Sequence, residues 1–334
     1  QGATIRRSTA AGTPNFRFFR VSSSGDLTLL NATVENGRAS LAGGGAFVVE
    51  FGRLTIIGSQ VRGNSTNFSD AFGGAIYNFH GTLTIDNSTF TENAANGAST
   101  GSRGGGAIGA DAATTTITNS RFINNTTSGN GGAFFTYFAA TITVSDTLFE
   151  NNQAYRGGAF YTESGGTIRF TRVNMRLNTT TNDGGGIYNT AISSLTVEDS
   201  CIAGNSPSGI QTVSGSITAA DVWWGADTGP RFDGVGDGDV VIGSVAFTPF
   251  KTAAPTGCYS YVVPTSTVNA TSTNTSTPTD TSTPTETPTS TNTPTETSTV
   301  TATATFTDTA TATYTATATA IPDTDGDGVV DPDD

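Results

Sequence analysis

The sequence predicts an all-β fold, a right-handed parallel β-helix (solenoid) followed by an extended Thr-rich C-terminal tail. Three observations predict it: a repeat of 26–32 residues, short alternating apolar and polar runs within each repeat, and no window with a sustained helical period. A unit of this size cannot bury its inward side chains alone, so successive units must stack with paired strands about 4.8 Å apart. A propeller blade would need about 40 residues and four strands, and a sandwich has no fixed period.

The first element of the repeat is a glycine pair followed by a small residue and an apolar one. It occurs six times, and the last residues of successive copies are separated by 29, 32, 26, 26 and 27 positions. Paired glycines fit a tight corner where a side chain would clash or where φ is positive. The six copies are Gly44–Phe47, Gly73–Ile76, Gly105–Ile108, Gly131–Phe134, Gly157–Phe160 and Gly184–Ile187.

Two further elements follow each glycine pair. One is a short alternating run such as Leu83–Ile85, and the other is an apolar residue three positions before an asparagine, as in Phe90 and Asn93. Each repeat therefore predicts three short strands separated by turn residues. The asparagines fit a polar ladder at a corner, where left-handed backbone is tolerated and amides bond from turn to turn. They are Asn64, Asn93, Asn125, Asn152, Asn178 and Asn205.

Composition divides the chain into a folded body and a tail. The predicted segments are 1–40 (N-terminal turns), 41–218 (repeats), 219–263 (C-terminal cap), 264–298 (Thr/Ser/Pro-rich linker), 299–321 (alternating Thr/Ala segment) and 322–334 (Asp-rich loop). The 334 residues contain 15 basic and 28 acidic side chains. Ten of the acids and none of the bases follow residue 263, so the body has a net charge near −3 and the tail near −10.

The charge and composition exclude several classes of function. A nucleic-acid binder needs an electropositive surface, which this chain lacks. Apolar residues never run for the roughly 20 positions of a membrane-spanning helix. With one histidine and two cysteines, zinc and haem sites are not expected.

The repeat motifs resemble a known family of extracellular proteins. The segments Gly73–Asn78 and Thr82–Phe90 resemble repeats of bacterial secreted right-handed β-helix proteins. The paired glycine and Phe-x-x-Asn motifs are also similar to the repeats of polymorphic outer-membrane proteins, a group of autotransporter adhesins. The resemblance extends from about Phe16 to Cys258. It implies a secreted or surface-exposed protein that is adhesive or structural, and it implies no particular chemistry.

The two cysteines and two tryptophans predict how the body ends. In an extracellular chain with only two cysteines, Cys201 and Cys258 are expected to form a disulfide that ties the cap to the repeats, with free buried thiols as the alternative. Trp223 and Trp224 are expected to pack inside the cap rather than form a carbohydrate platform.

The Asp-rich end resembles a thrombospondin type-3 or EF-like calcium loop. Carboxylates at alternate positions with a glycine bend suit Ca²⁺. Position 12 of the loop is Asp instead of a bidentate Glu, and no flanking helices are evident, so an acidic terminus without a metal is the alternative. The predicted Ca²⁺ ligands are Asp323, Asp325, Asp327, Asp331 and Asp334.

The alternating segment 299–321 is a second candidate interaction site. Thr occupies every odd position from 299 to 319, and mostly Ala occupies the even ones, which is a two-faced strand pattern. The segment could add as a strand to another subunit. A flexible, O-glycosylated stalk is the alternative. The larger apolar side chains of the predicted interaction strand are Val300, Phe306, Tyr314 and Ile321.

The charged residues of the body do not predict an enzyme. Polysaccharide lyases and hydrolases share the β-helix fold and need clustered or paired carboxylates. The candidates here are scattered over the repeats, as expected of solvated charges or turn-to-turn ion pairs, and His80 is expected at the surface or in a stack. The candidates are Asp146, Glu150, Glu163, Glu198, Asp199, Arg156, Arg169, Arg172 and Arg176.

The sequence therefore predicts an extracellular, cell-surface protein with a structural or adhesive function and no catalysis. Its expected partners are other copies of itself or other cell-surface components, and glycans are a further class. It could be the subunit of a filament or surface layer joined through its tail. The alternative is a carbohydrate-binding or polysaccharide-degrading β-helix, which an aromatic or carboxylate cluster on one face would indicate.

Overall fold

The structure is a computed structural model that describes residues 2–258, except 42, 70–71, 98, 164 and 191–193. The predicted linker, alternating segment and Asp-rich loop lie outside the described residues, and the predictions made for them stay predictions. Outside the described residues are Val300, Phe306, Tyr314, Ile321, Asp323, Asp325, Asp327, Asp331 and Asp334.

The described residues form four sheets of parallel strands, sheets A to D. Sheet A contains Thr4–Arg6, Thr33–Glu35, Gln60–Arg62, Thr89–Thr91, Arg121–Ile123, Leu148–Glu150, Asn174–Arg176 and Cys201–Ala203. Sheet B contains Phe19–Val21, Phe47–Glu50, Ile76–Phe79, Ile108–Asp111, Phe134–Tyr137, Phe160–Glu163, Ile187–Asn189, Ile210–Thr212 and Val241–Ile242. Sheet C contains Asp26–Leu30, Arg53–Ile57, Thr82–Asp86, Thr114–Thr118, Ala140–Ser145, Gly166–Thr171, Ser194–Glu198, Ile217–Ala220 and Val245–Ala246. Sheet D contains Arg38–Ala39, Ser65–Thr66, Ala94–Ala95, Thr126–Thr127, Gln153–Arg156 and Thr179–Asp183.

The chain winds through these sheets as a right-handed parallel β-solenoid, which confirms the predicted fold class. Each strand inside a sheet pairs with the strand one turn earlier and the strand one turn later. Sheets B and C, with nine strands each, therefore define about nine turns. At the spacing of paired strands the column is about 40 Å long. The described part of the chain contains no helix that could cross a membrane.

Sheet D is a fourth strand position that the sequence does not predict. Its strands directly follow the recurring asparagine of the repeat, as Ser65–Thr66 follows Asn64. Four of its six strands are two residues long, which is too short to show the alternation that identifies a strand in a sequence. The predicted three strands correspond to sheets A, B and C.

The core is one column of inward-facing apolar side chains. In sheet A the rings of Phe90, Phe122 and Phe149 are fully buried and stacked, with centroids 4.9 and 5.1 Å apart. This spacing equals the distance between turns, so identical residues at one position pack face to face. Sheets B and C contribute Phe, Ile, Leu and Val at their own inward positions, and these are also buried.

The recurring asparagines form a buried amide ladder along the column. The Oδ1 of Asn125 accepts hydrogen bonds from the backbone N–H and the Nδ2 of Asn93, at 3.1 and 3.0 Å. Its Nδ2 donates to the Phe90 carbonyl at 3.1 Å and to the Oδ1 of Asn152 at 3.0 Å. The whole hydrogen-bonding capacity of this buried amide is therefore used inside the protein.

The ladder has a direction, and a carboxylate ends it. Each amide donates to the next turn, so the last one, Asn205, needs an acceptor beyond it. Asp239 from the cap supplies it: its Oδ2 accepts from the Nδ2 and the backbone N–H of Asn205, at 2.9 and 3.0 Å, and its Oδ1 accepts from the Gly204 N–H at 2.7 Å. Because a carboxylate only accepts, it closes the chain of donors without leaving an orphan amide group.

The prediction that the ladder asparagines adopt left-handed backbone is wrong. The residue before each of them has this conformation instead. The ladder asparagines do not have positive φ. The preceding residue makes the bend, and the asparagine after it is buried within the column. The left-handed residues are Gly63, Glu92, Asn124, Asn151, Leu177 and Gly204, with φ between 53° and 79°.

The glycine pair meets both requirements that the sequence predicts. Gly131 has a φ of 75°, and a Cβ there would lie 2.3 Å from the Phe134 carbonyl oxygen. A Cβ on Gly132 would lie 2.1 Å from the carbonyl oxygen of Gly158 in the next turn. The first glycine is needed for its backbone conformation and the second for the close approach of successive turns.

The C-terminal end of the column is covered by the chain that follows the last full turn. Both tryptophans are buried: Trp224 belongs to the main core, as expected of a cap residue, whereas Trp223 packs in a separate cluster with Cys201, Ala203 and Cys258. Phe232, Phe247 and Phe250 pack against the end of the core. An open solenoid end would expose apolar side chains and strand edges, and this segment covers them.

Cys201 and Cys258 lie at disulfide distance, as the sequence predicts, with Cα atoms 5.9 Å apart. Cys201 is part of sheet A. The carbonyl of Gly257 accepts hydrogen bonds from Asn174 Nδ2 at 2.8 Å and from the guanidinium of Arg176 at 3.3 Å. Three contacts therefore tie the end of the described chain to the side of the column.

Replacing Asn125 with Ala should destabilise the fold by about 3 kcal/mol, because it leaves several buried donors and acceptors of Asn93, Phe90 and Asn152 without partners. The melting temperature from circular dichroism measures the loss. The matched control is Asn96→Ala, since Asn96 is exposed and, like Asn125, lies next to a strand of sheet D. Equal melting temperatures for the two variants would contradict the role of the ladder.

Candidate functional site

Six of the nine candidate catalytic charges bind one another across turns on the outside of the column. Arg172 makes two hydrogen bonds of 2.7 Å to the Asp146 carboxylate, and these hold the pKa of Asp146 below its usual range. Arg176 binds Glu150 at 2.8 Å. The predicted turn-to-turn ion pairs are confirmed for these residues. The remaining pairs are Arg169–Glu198 at 2.5 Å, Lys251–Asp199 at 2.6 Å and Arg156–Asp183 at 3.2 Å.

At the first turns the carboxylate of such an ion pair is buried, while its arginine partners stay partly exposed. The carboxylate of Glu35 lies between the guanidinium groups of Arg6 and Arg62. Burial raises the pKa of Glu35, but hydrogen bonds from Arg62 and Arg6 outweigh it and the pKa is lowered. The three residues occupy one position of sheet A in successive turns, so the charges tie three turns together.

A row of aromatic side chains covers the outer face of sheet B. Phe135, Tyr161 and Tyr188 occupy one outward position in successive turns, with ring centroids 5.4 and 5.5 Å apart. One turn earlier the position is Gly109, and Phe72 from the preceding loop lies over it. The row continues from Phe72 to Tyr77 at 4.8 Å and to Phe135 at 5.6 Å.

This aromatic row is buried and therefore structural. Phe72, Phe135, Tyr161 and Tyr188 are all less than 7% exposed. Burial raises the pKa of Tyr161 to about 12, so its hydroxyl stays protonated in the physiological range. The guanidinium of Arg103 lies 5.1 Å from the Phe72 ring and completes the packing through a cation–π contact.

The sequence contains a signal for this row. The residue after four of the glycine motifs is aromatic: Tyr77, Phe135, Tyr161 and Tyr188. An aromatic residue directly after the inward apolar one indicates an outward position that is also covered. Phe72 carries no such signal, because it reaches the row from an irregular loop.

Asp111 is a buried carboxylate beside this row. It is 7% exposed, and its Oδ1 has no hydrogen-bond partner. Burial raises the pKa of Asp111, although His80, Arg103 and a hydrogen bond with Tyr77 act in the opposite direction. Burial and Asp111 together raise the pKa of Tyr77. Burial therefore disfavours the ionised form of the Asp111 carboxyl group.

Exposed aromatic side chains form a separate ridge at the corner between sheets B and C. Phe51 and Phe138 are 57% and 51% exposed, and the exposed His80 stacks on Phe51 at 5.1 Å. The prediction that His80 lies at the surface or in a stack is confirmed. The sequence did not predict this ridge, because Phe51 and Phe138 lie between the motifs of the repeat and belong to none of them.

The structure brings together only some of the predicted site residues. Cys201 and Cys258 lie at disulfide distance. The predicted calcium ligands and the tail strand are outside the described residues. Within the described residues, no group of three or more His, Cys, Asp or Glu side chains could hold a metal ion.

The buried Asp111 predicts a specific pH dependence. Because its folded pKa is raised, wild-type stability falls relative to Asp111→Asn as the pH rises through the unfolded and then the folded pKa. At pH 7 the variant should melt at a higher temperature than wild type, and the difference should shrink toward zero as the pH falls through the range in which carboxyl groups ordinarily titrate.

Asp86→Asn is the control of opposite sign. Hydrogen bonds from Thr118 and Asn119 lower the pKa of Asp86, so this variant should melt lower than wild type at pH 7 and approach it as the pH falls. A pH-independent offset in the melting temperature of Asp111→Asn would contradict the role of Asp111.

Comparison with known proteins agrees with the geometry. The family described as "Right handed beta helix region" matches residues 1–221. No curated protein and no solved structure is significantly similar to the chain. With parallel sheets, stacked turns and a family match over more than half its length, the chain belongs to the right-handed β-helix family.

Proposed function

We propose that the chain is an extracellular structural or adhesive protein of the cell surface, without catalytic activity, whose subunits join into a filament or surface layer through the C-terminal tail. The observation that supports this most is the unpaired edge of the first turn. Thr4–Arg6, Phe19–Val21 and Asp26–Leu30 each have a single partner strand among the described residues. An edge of this kind can accept a strand from another chain.

The tail has the sequence and length to supply that strand. Residues 299–321 alternate in the pattern of a two-faced strand and contain no proline. Fully extended, about 23 residues reach roughly 75 Å, whereas the column is about 40 Å long, so the segment could reach a neighbouring subunit. Val300, Phe306, Tyr314 and Ile321 are the side chains that would anchor it.

The ion pairs on the column favour a structural role over catalysis. A lyase or hydrolase needs carboxylates that are free to bind a metal or transfer a proton. Asp146, Glu150 and Glu198 each bind an arginine of an adjacent turn instead. A polysaccharide-degrading enzyme is the alternative, and activity on polysaccharide abolished by one carboxylate substitution would support it.

The proposal includes Ca²⁺ at the end of the tail. Asp323, Asp325, Asp327, Asp331 and Asp334 supply oxygen ligands at the spacing of a calcium loop. Bound Ca²⁺ would neutralise part of the tail charge and stiffen the segment that follows the strand. Self-association and contact with other surface components, glycans included, are the proposed interactions.

Deleting residues 299–334 should abolish assembly, because it removes the strand that joins one subunit to the next. Light scattering and electron microscopy of the purified chain measure polymer formation. A chain with residues 299–321 shuffled keeps the composition but loses the alternation, and it should also fail to assemble.

Deleting only residues 322–334 separates the contribution of the calcium loop from that of the strand. This variant should still assemble. Polymers that form unchanged without residues 299–334 would contradict the proposed joining mechanism.

A further inference from the structure

The described chain ends at the side of the column, not at its end. Phe250 lies in the last described turn, where it is bridged to Val222. The chain then turns back along the outer face of sheet A to Cys258, whose Cα lies 5.9 Å from that of Cys201. Cys201 is two turns before Phe250, because Cys201 pairs with Trp223 and the neighbouring Val222 pairs with Phe250. The C-terminal tail therefore continues from a point beside the turn of Cys201.

The returning segment, residues 251–258, is held mainly at its two ends. At its start the Lys251 ammonium group binds the Asp199 carboxylate at 2.6 Å. Residues 252–254 are exposed. At its end the Gly257 carbonyl accepts two hydrogen bonds from side chains of sheet A, and the disulfide follows directly. The disulfide is the only covalent link among these contacts, so it decides where a pull on the tail is resisted.

Cys201 lies in a strand that is held from both sides. Its N–H donates to the Val173 carbonyl at 2.8 Å, and the N–H of Ile202 donates to the Trp223 carbonyl at 2.8 Å. The Cys201 side chain is 6% exposed and packs against Trp223. A force applied at Cys201 must therefore break backbone hydrogen bonds to two neighbouring turns together.

The cap is built in the opposite way. Its strands Val241–Ile242 and Val245–Ala246 are two residues long and come last in sheets B and C, with one partner strand each among the described residues. A force applied at Phe250 would peel such edge strands a few hydrogen bonds at a time. It would also pull on the segment that contains Asp239, the carboxylate that ends the amide ladder.

We propose that the Cys201–Cys258 disulfide is the mechanical anchor of the tail. It transfers tension on residues 259–334 directly into the interior strand Cys201–Ala203 and keeps residues 202–257 out of the force path. The two cysteines are 57 positions apart, and the loop that they close contains the whole cap. The cap then covers the end of the core without bearing the tension that acts on the subunit.

This inference rests on the proposed function, because a subunit joined to its neighbours through the tail is pulled at that tail. The force path itself is a property of a single chain and is measured without assembly. Absence of polymers would contradict the joining mechanism, whereas the single-chain measurement decides the force path in either case.

The test is constant-force optical tweezers on the full chain, held by tags at its two termini, with and without a phosphine that reduces the disulfide. Before the first unfolding step, the oxidised chain should survive at least about tenfold longer than the reduced chain at the same force. The first step of the reduced chain should lengthen it by about 200 Å, the extended length of the 57 positions that separate the cysteines.

The double variant Cys201→Ser, Cys258→Ser is the matched control. It should behave as the reduced chain does and should not respond to the phosphine. If this variant fails to fold, the oxidised and reduced wild-type chains still provide the comparison, because reduction follows folding.

The dependence on force separates an anchor from a cross-link that only stabilises the cap. Tension acts on the cap only in the reduced chain, so the ratio of the oxidised to the reduced lifetime should rise with force. Three results would overturn the proposal: equal lifetimes in the two redox states, a lifetime ratio that does not change with force, or a first step of the reduced chain that does not correspond to residues 202–257.

Discussion

The buried amide ladder is the interaction on which the rest of the column depends. An asparagine amide has two donors and one doubly accepting oxygen, and at this position all of them bond within the column. A turn that slipped by one residue would place an unpaired amide in an apolar core, at a cost of about 1–3 kcal/mol for each orphan group. The ladder therefore fixes the register of every turn, and Asp239 fixes where the series ends.

Because the register is fixed, each position of the repeat becomes a line of side chains along the column. Stacked phenylalanines, the ion pairs of adjacent turns and the aromatic row outside sheet B all follow from it. Irregularities in these lines mark where function could lie. Gly109 interrupts one line, and Phe72 from the preceding loop fills the gap.

The fold is predictable from the sequence because each repeat contains the residue types that the corners of a parallel β-helix require. The glycine pair and the ladder asparagine each recur six times. The glycine pair plays the predicted role, whereas the asparagine forms the predicted ladder but the residue before it makes the left-handed bend. The end of the ladder could not be predicted, since Asp239 lies 34 residues after Asn205 in a segment without repeats. The corner 22–25 has one residue more than the corner 50–52 of the next turn, and this difference is visible only when the strands are paired.

The central claim is that the first described turn, whose strands each have one partner strand among the described residues, accepts a strand from a neighbouring chain. Hydrogen–deuterium exchange on monomeric and assembled full-length chain tests it most directly. In the monomer, backbone amides of Phe19–Val21 and Asp26–Leu30 should exchange faster than those of the middle turns, and on assembly they should become protected. Unchanged exchange of these two strands in the assembled chain would contradict the account.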